Sequence, residues 1–167
     1  MSRYAANTSV TPDKSRAEIE ATLTRYGASA FGYMREEGQS MVTFRCNDRV
    51  VRFVLSMPDP RDAEFSKTPA KRRERSPEAA YKAWQQACRQ RWRALALVVK
   101  AKLEAVEAGI SEFEEEFLPH IVLPDGRTVG EWMLPQVRRA YELNEMPKML
   151  VGLPPAPDDI EEAEVVE

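Results

Sequence analysis

The chain carries 167 residues, 43% of them hydrophobic and 31% charged, a composition that suits one domain with a core and charged tails and excludes a fibrous repeat. Its net charge of −3 hides a segregation: residues 60–103 hold 12 Lys/Arg against 4 Asp/Glu, whereas residues 104–167 hold 4 against 16. A basic middle threaded with aromatic residues points to a polyanionic partner, and an acidic end to a competitor for the same surface.

Residues 1–10 read as a flexible N-terminus. Their opening, Met1–Asn7, lacks the apolar stretch of a secretory signal, and the longest apolar run of the chain, Ala94–Val99, is too short to cross a bilayer. A cytoplasmic protein with no membrane partner is expected. Thr11 is placed to cap a helix with Pro12 at its first position, and Gly27 to close it. Ile19, Leu23 and Tyr26 fall at i, i+4 and i+7, one buried face of about four turns.

Three strands follow, and their register is legible. A two-residue turn at Asn47-Asp48 sets Phe44 opposite Val51 and Val42 opposite Phe53; a turn at Glu37-Gly38 sets Tyr33 opposite Val42 and Phe31 opposite Phe44. Both hairpins then put Phe31, Tyr33, Val42, Phe44, Val51, Phe53 and Leu55 on one face, an agreement that a one-residue slip destroys. Arg45 and Arg52 fall on the opposite face.

Pro58 and Pro60 stop the third strand. Residues 61–76 lack hydrophobic periodicity and hold Lys71, Arg72, Arg73 and Arg75, which reads as a mobile basic loop. Ser76-Pro77-Glu78 opens a long helix, in which Tyr81, Trp84, Cys88, Trp92, Leu95, Val99, Leu103 and Val106 recur in steps of three or four until Gly109. Lys82, Arg89, Arg93 and Lys100 lie within about 20° of one line on that helix, away from the apolar stripe. Two cysteines without an export signal, Cys46 and Cys88, are expected to be reduced core residues.

Beyond Gly109 the glutamates around Phe113 and Phe117 read as a solvated helix face, and His120 has no second histidine with which to build a zinc site. Thr128 and Glu131 have capping-box spacing at the start of a helix that Pro135 is expected to kink or restart. Residues 153–167, after a proline run, read as a disordered acidic tail. The expected fold class is α+β: an N-terminal helix, a three-stranded antiparallel meander, a long amphipathic helix and a small C-terminal helical subregion, all in one domain over 11–152.

The blocks Ser15-Arg16-Ala17-Glu18-Ile19-Glu20, Arg25-Tyr26-Gly27, Val51-Arg52-Phe53 and Leu123–Trp132 together resemble a family of small accessory proteins of tailed bacteriophages and prophages. The resemblance implies a setting, the cytoplasm of an infected bacterium, and implies no site residues. The order of elements is also similar to double-stranded RNA-binding domains and to the core of single-strand annealing proteins, although Glu37-Gly38 is shorter than the RNA-binding loop of the former.

No phosphate-binding glycine loop, nucleophile arrangement or metal-spaced cysteine set is present, so no catalytic residue, metal or cofactor is expected. The leading expectation is a non-enzymatic phage accessory protein that binds nucleic acid, preferably single-stranded, without sequence preference. Its binding residues would be Arg45, Arg52, Lys71, Arg72, Arg73, Arg75, Lys82, Arg89, Arg93 and Lys100. The alternatives are a protein-interaction module that modulates a host enzyme and a pocket that sequesters an anionic nucleotide. Self-association is left open.

Overall fold

The architecture is that of a computed structural model, which describes residue 5, residues 7–68 and residues 73–145. Helix α1 (Pro12–Arg25) begins where the Thr11 hydroxyl accepts the Lys14 N–H at 3.2 Å, and ends before Gly27, whose φ of +81° lets the chain turn away. Ile19 and Leu23 join the core, and Ser15 is buried on the same helix.

Strands β1 (Ala30–Glu36), β2 (Gln39–Cys46) and β3 (Arg49–Ser56) form an antiparallel meander in the order β1-β2-β3. The register is the one its hydrophobic pattern dictates: Phe31 faces Phe44, Tyr33 faces Val42, Val42 faces Phe53 and Phe44 faces Val51. Asn47 and Asp48 take φ of +48° and +57°, the left-handed pair whose twist matches a tight hairpin. Val42, Phe44, Val51 and Phe53 are buried, each side chain contributing about 1.5–3 kcal/mol by leaving water.

The described residues of 61–76 are not featureless. A short helix, α2 (Ala63–Ser66), buries Phe65, and Lys67 bridges Glu74 in an antiparallel pair. One buried aromatic residue has no period, so the sequence pattern carried no sign of it. Helix α3 (Pro77–Glu107) runs 31 residues from a Ser76 cap, which accepts the Ala79 N–H at 3.3 Å. Its apolar stripe packs Trp92, Leu95, Ala96, Val99 and Leu103 into the same core as the sheet face.

Helix α4 (Phe113–Phe117) and a turn of 3-10 helix (Leu118–His120) then close the core. Phe117 is wholly buried and stands edge-on to Phe44 and Phe53, with ring centroids 5.8 and 6.3 Å away. Val122 donates its N–H to the Val50 carbonyl at 2.7 Å, adding a short bridge along β3. The capping box forms at α5 (Val129–Leu143): Thr128 N–H donates to Glu131 at 2.7 Å, and Glu131 N–H to the Thr128 hydroxyl at 3.1 Å. Pro135 lies inside this one helix.

The fold is therefore α+β, with the expected order of elements. The chain divides into two compact units, Met1–Trp132 and Met133–Glu167. The first contains the sheet, α1 to α4 and the core; among the described residues the second holds α5 from Met133 onward and the two residues after it. No helix among the described residues is long and apolar enough to cross a membrane. Cys46 and Cys88 are both free and buried. Of the expected N-terminal stretch, residues 1–4 and 6 lie outside the described residues, and the Thr8 carbonyl accepts from Gln86 Nε2 at 2.9 Å. The expected acidic tail lies outside the described residues altogether.

Candidate ligand cleft

Where α1, β1 and the start of α3 meet, the core opens into a cavity of about 350 Å³. The helical stripe that is core further along α3 supplies its wall. Trp92 and Cys88 are buried, Trp84 half-buried, and Tyr81 is exposed at the lip. The same 3–4 spacing thus serves packing at one end of α3 and an accessible aromatic surface at the other. Trp84 is held in place because its indole N–H donates to the Pro58 carbonyl at 2.8 Å, and Tyr81 lies beside it with ring centroids 5.5 Å apart.

Three guanidinium groups line this cavity, Arg16, Arg35 and Arg89, against the one carboxylate of Asp13. Arg16 is ion-paired with Asp13 and donates to the Tyr33 hydroxyl. Its guanidinium also lies 4.3 Å from the Tyr33 ring centre and 5.5 Å from that of Trp92. Arg89 is oriented by a neutral partner: its Nε and Nη2 donate to Gln86 Oε1 at 3.0 and 2.7 Å. The Arg35 side chain makes no hydrogen bond or ion pair among the described residues. Two of the three cations therefore keep their charge uncompensated by a carboxylate.

Cys88 sits in this wall. Burial pushes its thiol pKa up, and the cations of Arg35, Arg91 and Arg89 offset that only in part. The thiol form dominates at neutral pH.

A second cavity, of about 600 Å³, adjoins the first and shares Arg35, Met57 and Trp84 with it. Its charge is opposite in character. Glu36, Glu37 and Asp59 line it with Arg35 and Arg61, and Arg61 is taken up by a bidentate ion pair with Asp59 at 2.9–3.2 Å. That pair holds the Asp59 carboxyl below the usual carboxylate range. Glu36 accepts from Gln39 at 2.7 Å, whereas Glu37 has no hydrogen-bond or ionic partner among the described residues.

Of the residues expected from sequence to bind nucleic acid, several are engaged within the fold. Arg89 enters the cleft, but Arg93 turns toward α1 and pairs with Glu18, Lys82 pairs with Glu78 at 2.6 Å, and Lys100 stands exposed without an ion pair among the described residues. On the other face of the sheet Arg52 is held by Glu131 at 2.9 Å and Arg45 is exposed. Arg75 spends its guanidinium on the Glu64 and Phe65 carbonyls, both at 3.1 Å, which fixes α2; Arg73 is exposed. Lys71 and Arg72 lie outside the described residues.

Arg16, Tyr33 and Arg35 were missed as site residues, yet each had a signal. Arg16 continues the Ile19 and Leu23 line of α1 at i, i+3 and i+7. Tyr33 and Arg35 are two apart on the inward face of an edge strand, so both aim toward the helices. Among the described residues no group of three His, Cys, Asp or Glu side chains is arranged to hold a metal ion. Comparison with protein-family models, with curated proteins and with solved structures found no match.

Proposed function

We propose that this protein binds a nucleotide-class anion in the cleft between α1, β1 and α3. One observation carries the reading: Arg35 and Arg89, neither paired with a carboxylate, line the same small cavity as Trp84 and Tyr33. A ligand that is both aromatic and anionic uses both features at once. A base stacks on the indole while phosphate oxygens meet guanidinium donors in bidentate geometry. The volume falls within the roughly 300–1,000 Å³ of small-ligand sites. Binding and sequestration need no catalytic group, in keeping with the shielded Cys88 thiol. A bacteriophage context is part of this proposal on the block resemblance alone.

Binding of single-stranded nucleic acid is the second reading. Arg91 and Lys100 of α3 favour it, being exposed cations without an ion pair among the described residues. A strand would present the same stacked and charged unit to the cleft and its further phosphates to these side chains.

Quenching of tryptophan fluorescence by nucleoside monophosphates, and by a short single-stranded oligonucleotide, tests both. The proposal expects saturable quenching that weakens steeply as salt rises from roughly 50 to 200 mM for the strand and less steeply for the mononucleotide. Arg35→Glu with Arg89→Glu should abolish it while the circular dichroism stays that of the folded protein. Absence of binding by either ligand at low salt overturns the reading and leaves a protein-interaction module in front.

A further inference from the structure

The cleft has two chambers of opposite charge, and a nucleotide has two ends of opposite demand. We propose that the outer chamber selects guanine, so that the ligand of this site is a guanine nucleotide, free or at the 5′ end of a strand. The inference rests on the nucleotide reading above.

Trp84 lines both chambers, as Arg35 and Met57 do, and is pinned by its hydrogen bond to the Pro58 carbonyl at 2.8 Å. A base stacked on that indole with its phosphate toward Arg35 and Arg89 points its far edge into the outer chamber. There the acceptor is Glu37, at the turn between β1 and β2, and it is the one carboxylate of that chamber not engaged by a neighbour among the described residues.

Guanine is the base that answers a free carboxylate. Its N1–H and N2–H donors lie side by side and match the two oxygens of one carboxylate, a bidentate pair between a charged acceptor and two donors. Adenine offers one amino group next to an acceptor nitrogen. Uracil offers one N–H flanked by two carbonyl oxygens, which face a carboxylate with like partial charge.

The experiment measures dissociation constants for GMP, AMP and UMP, and for an oligonucleotide beginning with 5′-phosphoguanosine, on the wild type, Glu37→Gln and Arg89→Ala. GMP should bind at least roughly tenfold more tightly than AMP or UMP, the usual worth of one charged hydrogen bond. Glu37→Gln should bring GMP and AMP within about twofold of each other, since its amide can no longer accept both donors. Arg89→Ala should weaken all three monophosphates by a similar factor. Tighter binding of the oligonucleotide than of GMP supports the proposal with a strand end as the source, and the reverse supports it with the free nucleotide. Equal affinities in the wild type, or a guanine preference that survives Glu37→Gln, overturn the base assignment and leave the nucleotide reading standing. Failure of every ligand to bind overturns that reading itself. Glu37 is an exposed turn residue, so its variant should fold as the wild type does.

Discussion

Arg93 of α3 is ion-paired with Glu18 of α1, and both side chains are largely covered by the interface they span. The pair ties the first helix to the longest one, 75 positions later in the chain. Arg93 is therefore part of the fold, whereas Arg89, one turn earlier on the same helix, is directed by Gln86 in the wall of the cleft.

The two arginines should separate in a stability assay. Arg93→Ala should cost on the order of 1 kcal/mol in urea unfolding, more than an exposed pair because its partner is left half-buried. Arg89→Ala should leave the urea midpoint in place and lower ligand affinity. A midpoint that moves for Arg89 and not for Arg93 would contradict this assignment.

Phe53→Asp should prevent folding. Phe53 is buried, stacked over His120 with ring centres 4.0 Å apart and flanked by Phe44 and Phe117. A carboxylate there has no partner and would have to be desolvated, at a cost comparable to the stability of a small domain. The check is the loss of a cooperative thermal transition; a fully stable variant would falsify the strand register.

Gly130→Ala should lower the melting temperature although alanine is the better helix former. A Cβ at Gly130 would stand 2.7 Å from the Pro119 carbonyl oxygen, and backbone lies on both sides of the contact. Helix propensity contributes about 1 kcal/mol in favour of alanine, and overpacking costs about 1–3 kcal/mol. The clash should prevail, each net kcal/mol being worth roughly 2–4 °C in a calorimeter. An unchanged or raised melting temperature would show that the turn before α5 gives way freely.

Stability should fall as pH drops below the ordinary histidine range. Burial against Phe53 depresses the His120 pKa below 6.5, and Lys102 adds to this, with a hydrogen bond involving the Arg52 backbone acting in the opposite sense. Well above 6.5 the ring is neutral in both folded and unfolded chains and contributes no slope. As pH falls from there through the depressed folded value, the unfolded chain binds the proton first and the fold loses stability. His120→Gln should flatten that part of a urea-midpoint profile. Carboxylates held low by a partner, such as Glu116 bonded to Lys102, add their loss at lower pH.

Helices α1 and α3, the start of α5 and the strand register were legible in the sequence, whereas α2 was not, its single buried Phe65 having no period. Thr11, Ser76 and Thr128 cap their helices through atoms three residues away, and the alternation in the meander admits one pairing of its apolar face. These are local interactions or short-range patterns, complete within a few residues of chain. Which cations remain for a ligand depends on long-range packing. Arg93 finds Glu18 across 75 positions and Arg52 finds Glu131 across 79, so two basic residues that look alike in sequence to Arg89 are spent on the fold. The cleft is non-local for the same reason: Arg35 from an edge strand, Trp84 and Arg89 from α3 and Arg16 from α1 become neighbours only when the helices pack on the sheet, because Coulombic and stacking contacts act over a few ångströms of space whatever their separation along the chain.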